Sequence, residues 1–284
     1  MDRSIAAILL CAFSLAAACR EAPDTTPSWI KQSNEYTNKL LSVELEHTPE
    51  EGTRQGVAKF DQLISNPTLA DDLAQRHELE AVLETIKAAQ KTEKNRYVLE
   101  DLEILRKAFE LQFREQDYEL LHEVPFLNAS ETVFQGLRGL LDDQVAAERR
   151  PAAVVRLRKY AGIEAGYTPY TELLKRRALE QMAKPGVIYP SKEEVETELG
   201  RDSNYVDGIA DLFKKYRQSG WDDSYAKLKT ELTGYDAWVR ANILPKARTD
   251  FRLPPEKYAL AFESYGIGIP PARIAAMAHA AFAE

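Results

Sequence analysis

Apolar residues recur along this chain at steps of three and four, and almost nowhere at steps of two. Val98, Leu102, Leu105, Phe109 and Phe113 form one such series. Val206, Ile209, Phe213 and Tyr216 form a second, and Tyr225, Leu228, Leu232, Tyr235, Val239 and Ile243 a third. Each series lays one apolar stripe along a helix and leaves charged residues opposite. The pattern predicts an all-α chain built as a multi-helix array or bundle. The predicted helices are 28–46, 68–90, 93–118, 130–144, 151–161, 169–183, 191–198, 203–217, 222–247 and 270–283. Loops are expected at 119–129, 184–190 and 248–269.

Start and stop signals fit most of these spans. Thr48-Pro49-Glu50-Glu51 and Ser191-Lys192-Glu193-Glu194 have the capping-box spacing, in which hydroxyl and carboxylate satisfy end amides reciprocally. Thr168-Pro169 and Pro270-Pro271 put proline in a first turn. Gly162, Gly186, Gly200 and Gly220 are the expected stops, and Pro245 should kink or end the ninth helix.

Composition narrows the class. With 44% hydrophobic and 29% charged residues in 284, the chain can bury a sizeable core and is not intrinsically disordered. A net charge of −8 argues against a general nucleic-acid binder, whose footprint is basic. One stretch runs against that total. Between Arg149 and Arg177 lie eight basic residues against only Glu164 and Glu172. Two readings stand: an anion or headgroup site, or basic helices docked on acidic ones.

The N-terminus reads as a targeting segment. An apolar run from Ile5 to Ala18 is too short to span a bilayer, which takes about 20 residues, and has the length of a signal-peptide core. It ends in Leu15-Ala16-Ala17-Ala18-Cys19, which resembles a bacterial lipobox with the chain cut before a lipidated Cys19. Cleavage after Ala18 without lipidation and an uncleaved anchor are the competing readings. The only other cysteine is Cys11, so a mature chain would hold no disulfide. The expected organisation is a signal peptide over 1–18, a tether over 19–27 and a helical domain over 28–284. Two or more acyl chains on Cys19 would anchor the protein to a membrane at about 0.8 kcal/mol per buried methylene. Arg20 replaces the Asp that holds many lipoproteins in the inner membrane. The expected location is therefore the periplasmic side of the envelope, at the outer membrane.

Catalytic motifs are scarce. His47, His77, His122 and His279 are scattered. His77-Glu78 and His122-Glu123 begin like HExxH, but Ala81 and Phe126 occupy the second histidine position. No phosphate loop and no serine elbow is present. The acidic pairs Asp71-Asp72, Asp142-Asp143 and Asp222-Asp223 read as structural, because neighbours on a helix point apart. Among the C-terminal aromatics, Tyr258 and Tyr265 are seven residues apart and would share a helix face. They are the candidate cleft-lining residues, with core packing as the alternative.

Tyr235-Asp236-Ala237-Trp238, the run Ile243 to Arg248, the run Phe251 to Tyr258, Tyr265-Gly266-Ile267, and the run Val187 to Glu194 together resemble a bacterial family. It is the group of lipoproteins and hydrolase-like proteins filed as domain of unknown function eight-eight-five. The resemblance runs from about residue 120 to the end, and more loosely over 36–118. It implies an almost all-helical fold with a peptidase-like cleft between two halves. Full-length members are longer and carry an HExxH helix in their second half, like zinc metallopeptidases. This chain has no such helix, so no catalytic or metal-binding residue carries over, and zinc is expected only in full-length members. The expectation is the N-terminal half of such a fold, possessing part of a peptide cleft and self-associating through an exposed C-terminal face. The alternative is a non-catalytic helical lipoprotein that binds a partner or scaffolds the envelope.

Overall fold

The computed structural model describes residues 25–283. Among these the chain is all-α: eleven helices and two 3₁₀ turns, with no strand. The first helices are α1 (Ser28–His47), α2 (Pro49–Arg54), α3 (Leu69–Thr92) and α4 (Arg96–His122). Then come α5 (Ala129–Arg138), α6 (Ala152–Tyr160), α7 (Tyr170–Met182), α8 (Lys192–Lys215) and α9 (Asp222–Asn242). Last are α10 (Pro255–Ser264) and α11 (Pro271–Ala283).

Two cores organise them. Leu40 of α1, Leu79, Leu83 and Ile86 of α3, and Val98, Leu102 and Phe113 of α4 close an N-terminal three-helix unit. The stripes of α5 to α9 close a larger unit around Val133, Leu157, Ile209, Phe213, Leu228, Leu232 and Val239. Burying a side chain of that size contributes about 1.5–3 kcal/mol.

Polar ties lock α2 and its 3₁₀ turn (Ala58–Phe60) to α5 and α6. Arg156 is fully buried and donates to the carbonyls of Phe60, Leu63 and Gly136 and to Thr53 Oγ1, at 2.7–2.9 Å. Tyr160 donates to Glu50 Oε1 at 2.6 Å, and Glu50 also accepts from Ser65 N at 3.0 Å. Burial, with the Glu50 carboxylate adding to it, keeps the Tyr160 phenol protonated. Glycine is required where this network is tightest: a Cβ on Gly136 would lie 2.3 Å from the Tyr160 hydroxyl.

The structure corrects several expected boundaries. Gly200 does not end a helix, so 191–198 and 203–217 are one helix, α8. Val195, Leu199, Asp202, Val206, Ile209 and Phe213 form one uninterrupted buried stripe. Burying that stripe outweighs the cost of a helical glycine, about 1 kcal/mol. The span 130–144 instead stops at Arg138, because Leu140 and Leu141 are buried by tight turns onto Leu137. The loop expected at 248–269 contains α10, which starts at Pro255 with proline in its first turn. The loop expected from 119 begins only after His122.

Thr48 forms no capping box. It ends α1 as well as preceding α2, and its hydroxyl donates to Glu44 O at 2.7 Å. Ser191 forms the full box with Glu194. Gly162, Gly186 and Gly220 do adopt left-handed φ at their stops. Pro245 ends the ninth helix, which closes in a 3₁₀ turn, Leu244–Lys246.

Candidate functional site

The two units do not meet flush. Between them lies a cavity of about 560 Å³. The local sequence explains its floor. After α4 stops at His122, Pro125 prevents further helix and the chain runs extended to Asn128. Pro190 does the same to Tyr189 before α8 begins. Isolated parallel bridges pair Glu123 with Ile188 and Ser191 with Arg248. Extended backbone therefore lines one side, and helices α3, α4, α7 and α10 supply ionisable side chains from the others.

Those side chains come as engaged pairs and loose ends. Arg177 of α7 reaches Asp72 of α3, Nε to Oδ2, at 3.2 Å. Lys257 of α10 meets Glu123 at 2.5 Å. Burial raises the Asp72 carboxyl above the usual range, against the opposing pull of Arg177. Glu119 of α4 has no ion pair among the described residues. Burial raises its carboxyl too, with Lys257 opposing and Glu123 adding. A carboxyl whose affinity for its proton is raised by burial has the character of a general acid. Two guanidinium groups in the wall are incompletely used: Arg177 Nη1 and Arg248 Nε are buried with no hydrogen-bond partner. An orphaned buried donor costs about 1–3 kcal/mol. Pro125, Phe126, Leu174, Ile188 and Tyr189 make the rest of the wall apolar.

A second cavity, of about 500 Å³, adjoins the first across Phe126, Leu127 and Glu194. It is acidic, but its carboxylates have structural work. Glu50 holds Tyr160 and Ser65, Glu131 accepts from Tyr205 at 2.9 Å, and Glu198 accepts from Asn128 at 3.1 Å. Asn128 also caps α5 by accepting from Glu131 N at 2.8 Å.

The residues expected from sequence lie elsewhere. Cys19 and segment 1–18 fall outside the described residues. Tyr258 sits on α10 with its ring against Phe262 at 4.5 Å, and Tyr265 follows the helix, 82% exposed. Neither borders these cavities; from their neighbourhood Leu253 and Lys257 do. Three residues of the basic stretch are docked across the fold: Arg149 forks onto Asp61 at 2.6 and 2.7 Å, Arg156 is buried, and Arg177 pairs with Asp72. The Asp71-Asp72 pair points apart as expected, Asp71 toward His47 and Asp72 toward Arg177. Asp72, Glu119, Arg248 and Lys257 escaped sequence reasoning, since only the fold brings them together. For Arg177 the basic stretch was a partial signal.

The residues present do not fit a zinc site. Among the described residues no group of three or more His, Cys, Asp or Glu converges to hold a metal ion. His47, the histidine nearest carboxylates, is held between Asp71 at 3.1 Å and Glu78 at 3.7 Å. No described helix is long and apolar enough to cross a membrane.

Fold and cleft thus define a class: an all-helical protein whose two helical units enclose a polar cavity. A family model described as bacterial protein of unknown function, DUF885, matches residues 49–284, and the chain belongs to that family. No curated protein and no solved structure matches it.

Proposed function

We propose that this chain is the substrate-recognising part of a lipid-anchored envelope protein of peptidase type, and that the cavity between its helical units takes a peptide. The observation that carries this reading is the cavity itself. It combines an extended backbone floor, apolar walls and a few converging ionisable groups, the usual makeup of a small-ligand site. An extended peptide suits extended backbone, because main-chain hydrogen bonds can then run between them. Glu119, whose carboxyl is raised by burial and which lines the cavity, is the candidate proton donor to a bound ligand. No cluster of metal-ligating side chains lies among this chain's described residues.

The anchor part of the proposal rests on Leu15-Ala16-Ala17-Ala18-Cys19. It places the mature protein on the periplasmic side of the envelope, at the outer membrane, with lipidated Cys19 in the bilayer. Feeding cells a fatty-acid analogue tests it: wild-type chain should take up label and Cys19→Ser should not. Equal label in both sinks the anchor. Calorimetric titration of the full chain with a mixture of short apolar peptides tests the cleft. Heat of binding that disappears in Leu174→Trp, which fills the cavity, supports it. Heat unchanged in that variant refutes it, and so does the absence of any heat. A partner-binding scaffold is then the reading that remains.

A further inference from the structure

We infer that the cavity holds a carboxylate subsite, formed by Arg177 and Arg248, which takes the free C-terminal carboxylate of a peptide with an apolar last residue. This rests on the peptide reading of the cavity and makes it specific.

Four observations converge. First, each of the two guanidinium groups keeps a buried N–H without an acceptor, and both line the same cavity. Their other contacts are fixed: Arg177 uses Nε on Asp72, and Arg248 uses Nη1 on the carbonyls of Asp250 and Arg252. A modest turn of either side chain toward an oxyanion would satisfy the spare donor. Guanidinium is the group best matched to the planar fork of a carboxylate.

Second, most of the other ionisable groups of the wall are already engaged. Lys257 is committed to Glu123, and Glu194 accepts from Ser191 N in the α8 capping box. Asp72 is covered by Arg177. Glu119 has no ion pair among the described residues, and burial raises its carboxyl. Arg248 is the cation of this wall with no carboxylate partner among the described residues, and Arg177 keeps a spare donor beside its bond to Asp72.

Third, the neighbouring surface is apolar. Phe126, Leu127, Tyr189 and Leu253 border the cavity. A phosphate would leave that surface empty, whereas the side chain beside a C-terminal carboxylate would cover it. Fourth, the floor of extended backbone at Glu123–Ile188 and Ser191–Arg248 gives a peptide a direction in which to leave the subsite.

The test is calorimetric titration of the full chain with N-acetyl-Ala-Leu, with its C-terminal amide, and with inorganic phosphate. The acid should bind at least tenfold more tightly than the amide, and phosphate more weakly than the acid. Arg248→Gln should bring acid and amide to within about twofold, a change set by lost charge-assisted hydrogen bonding. Arg177→Gln should do the same, but it also strands Asp72. Its melting temperature is therefore compared with wild type, and Arg248→Gln decides if the Arg177 variant unfolds. Equal binding of acid and amide to wild type overturns the carboxylate subsite and leaves the peptide cleft standing. Binding of phosphate alone also overturns it. Binding of none of the three overturns both the subsite and the peptide reading beneath it.

Discussion

Helices α8 and α11 carry the same kind of message in sequence and meet opposite fates. Both have apolar residues at helical spacing and both are preceded by a start signal. In α8 the stripe from Val195 to Phe213 is buried against α5 and α9. In α11 no described residue is buried, and Phe282 is 94% exposed. The aromatics divide at the same boundary. Trp221 and Tyr235 are buried in the core, while Phe251, Tyr258 and Tyr265 are exposed. An amphipathic stripe states that a face prefers to leave water; it does not name the surface that will cover it.

The closed half should respond most strongly to mutation. Arg156→Leu removes four hydrogen bonds and leaves the carbonyls of Leu63 and Gly136 without this donor, while Phe60 O keeps only Leu63 N. The expected loss is on the order of 4 kcal/mol, because each orphaned acceptor carries its desolvation cost. Urea unfolding measures it. A loss below about 1 kcal/mol would mean that the network linking α2 to α6 is not what closes this half.

Matched apolar truncations sharpen the contrast. Leu232→Ala, at a fully buried position of α9, should cost about 2–5 kcal/mol through lost transfer energy and a residual cavity. Ile274→Ala, on the α11 stripe, should cost no more than about 0.5 kcal/mol if that face stays uncovered. Comparable losses at the two sites would show that α11 is packed in solution.

The closed half also contains its own sensitivity to pH. Asp202 of α8 is buried with Oδ1 unpartnered, and Asp236 of α9 lies against it. Burial first, and the Asp202 carboxyl second, push Asp236 up to about 7; Glu198 adds negative charge around Asp202, and Asn128 and Arg240 oppose. A carboxyl raised in the folded state stabilises the fold below its unfolded value of about 4. That contribution is lost as pH rises toward 7. Half-exposure of Asp236 limits the effect to on the order of 1 kcal/mol. Thermal melts from pH 4 to 8 should fall across this window for wild type and flatten in Asp236→Asn. A wild-type profile as flat as the variant's would remove the pair from the stability argument.

What could be read beforehand follows from how far each signal reaches. The buried stripes of α4, α8 and α9 are local patterns, and they located those helices and the all-α class. Gly200 misled because a local breaker was weighed without the stripe that continues across it. α10 was missed because its ten residues bury none of their side chains, so no stripe marks it. The cavity is a different case. Asp72, Glu119, Arg177, Arg248 and Lys257 span most of the chain, and only the placement of α3, α4, α7 and α10 makes them neighbours. Charge in sequence showed a local excess of cations between Arg149 and Arg177; the fold decides which guanidinium donors are left without an acceptor.

The smallest expected change in stability, and the clearest consequence of the comparison, concerns the bare face itself. Met277 and Phe282 are exposed on α11, and Phe251, Leu253, Ile267 and Ile269 are exposed just before it. Contiguous apolar surface beyond a few hundred Å² is unusual on a soluble monomer. The chain over 20–284 should therefore associate in a concentration-dependent way. Met277→Ser with Phe282→Ser should shift it toward monomer in sedimentation velocity. Its urea midpoint should stay within about 0.5 kcal/mol of wild type, since neither side chain is buried. A wild-type chain that sediments as a monomer throughout would deny the self-association. A double variant that loses several kcal/mol would show instead that α11 folds back onto its own chain, and the contrast with α8 would then vanish.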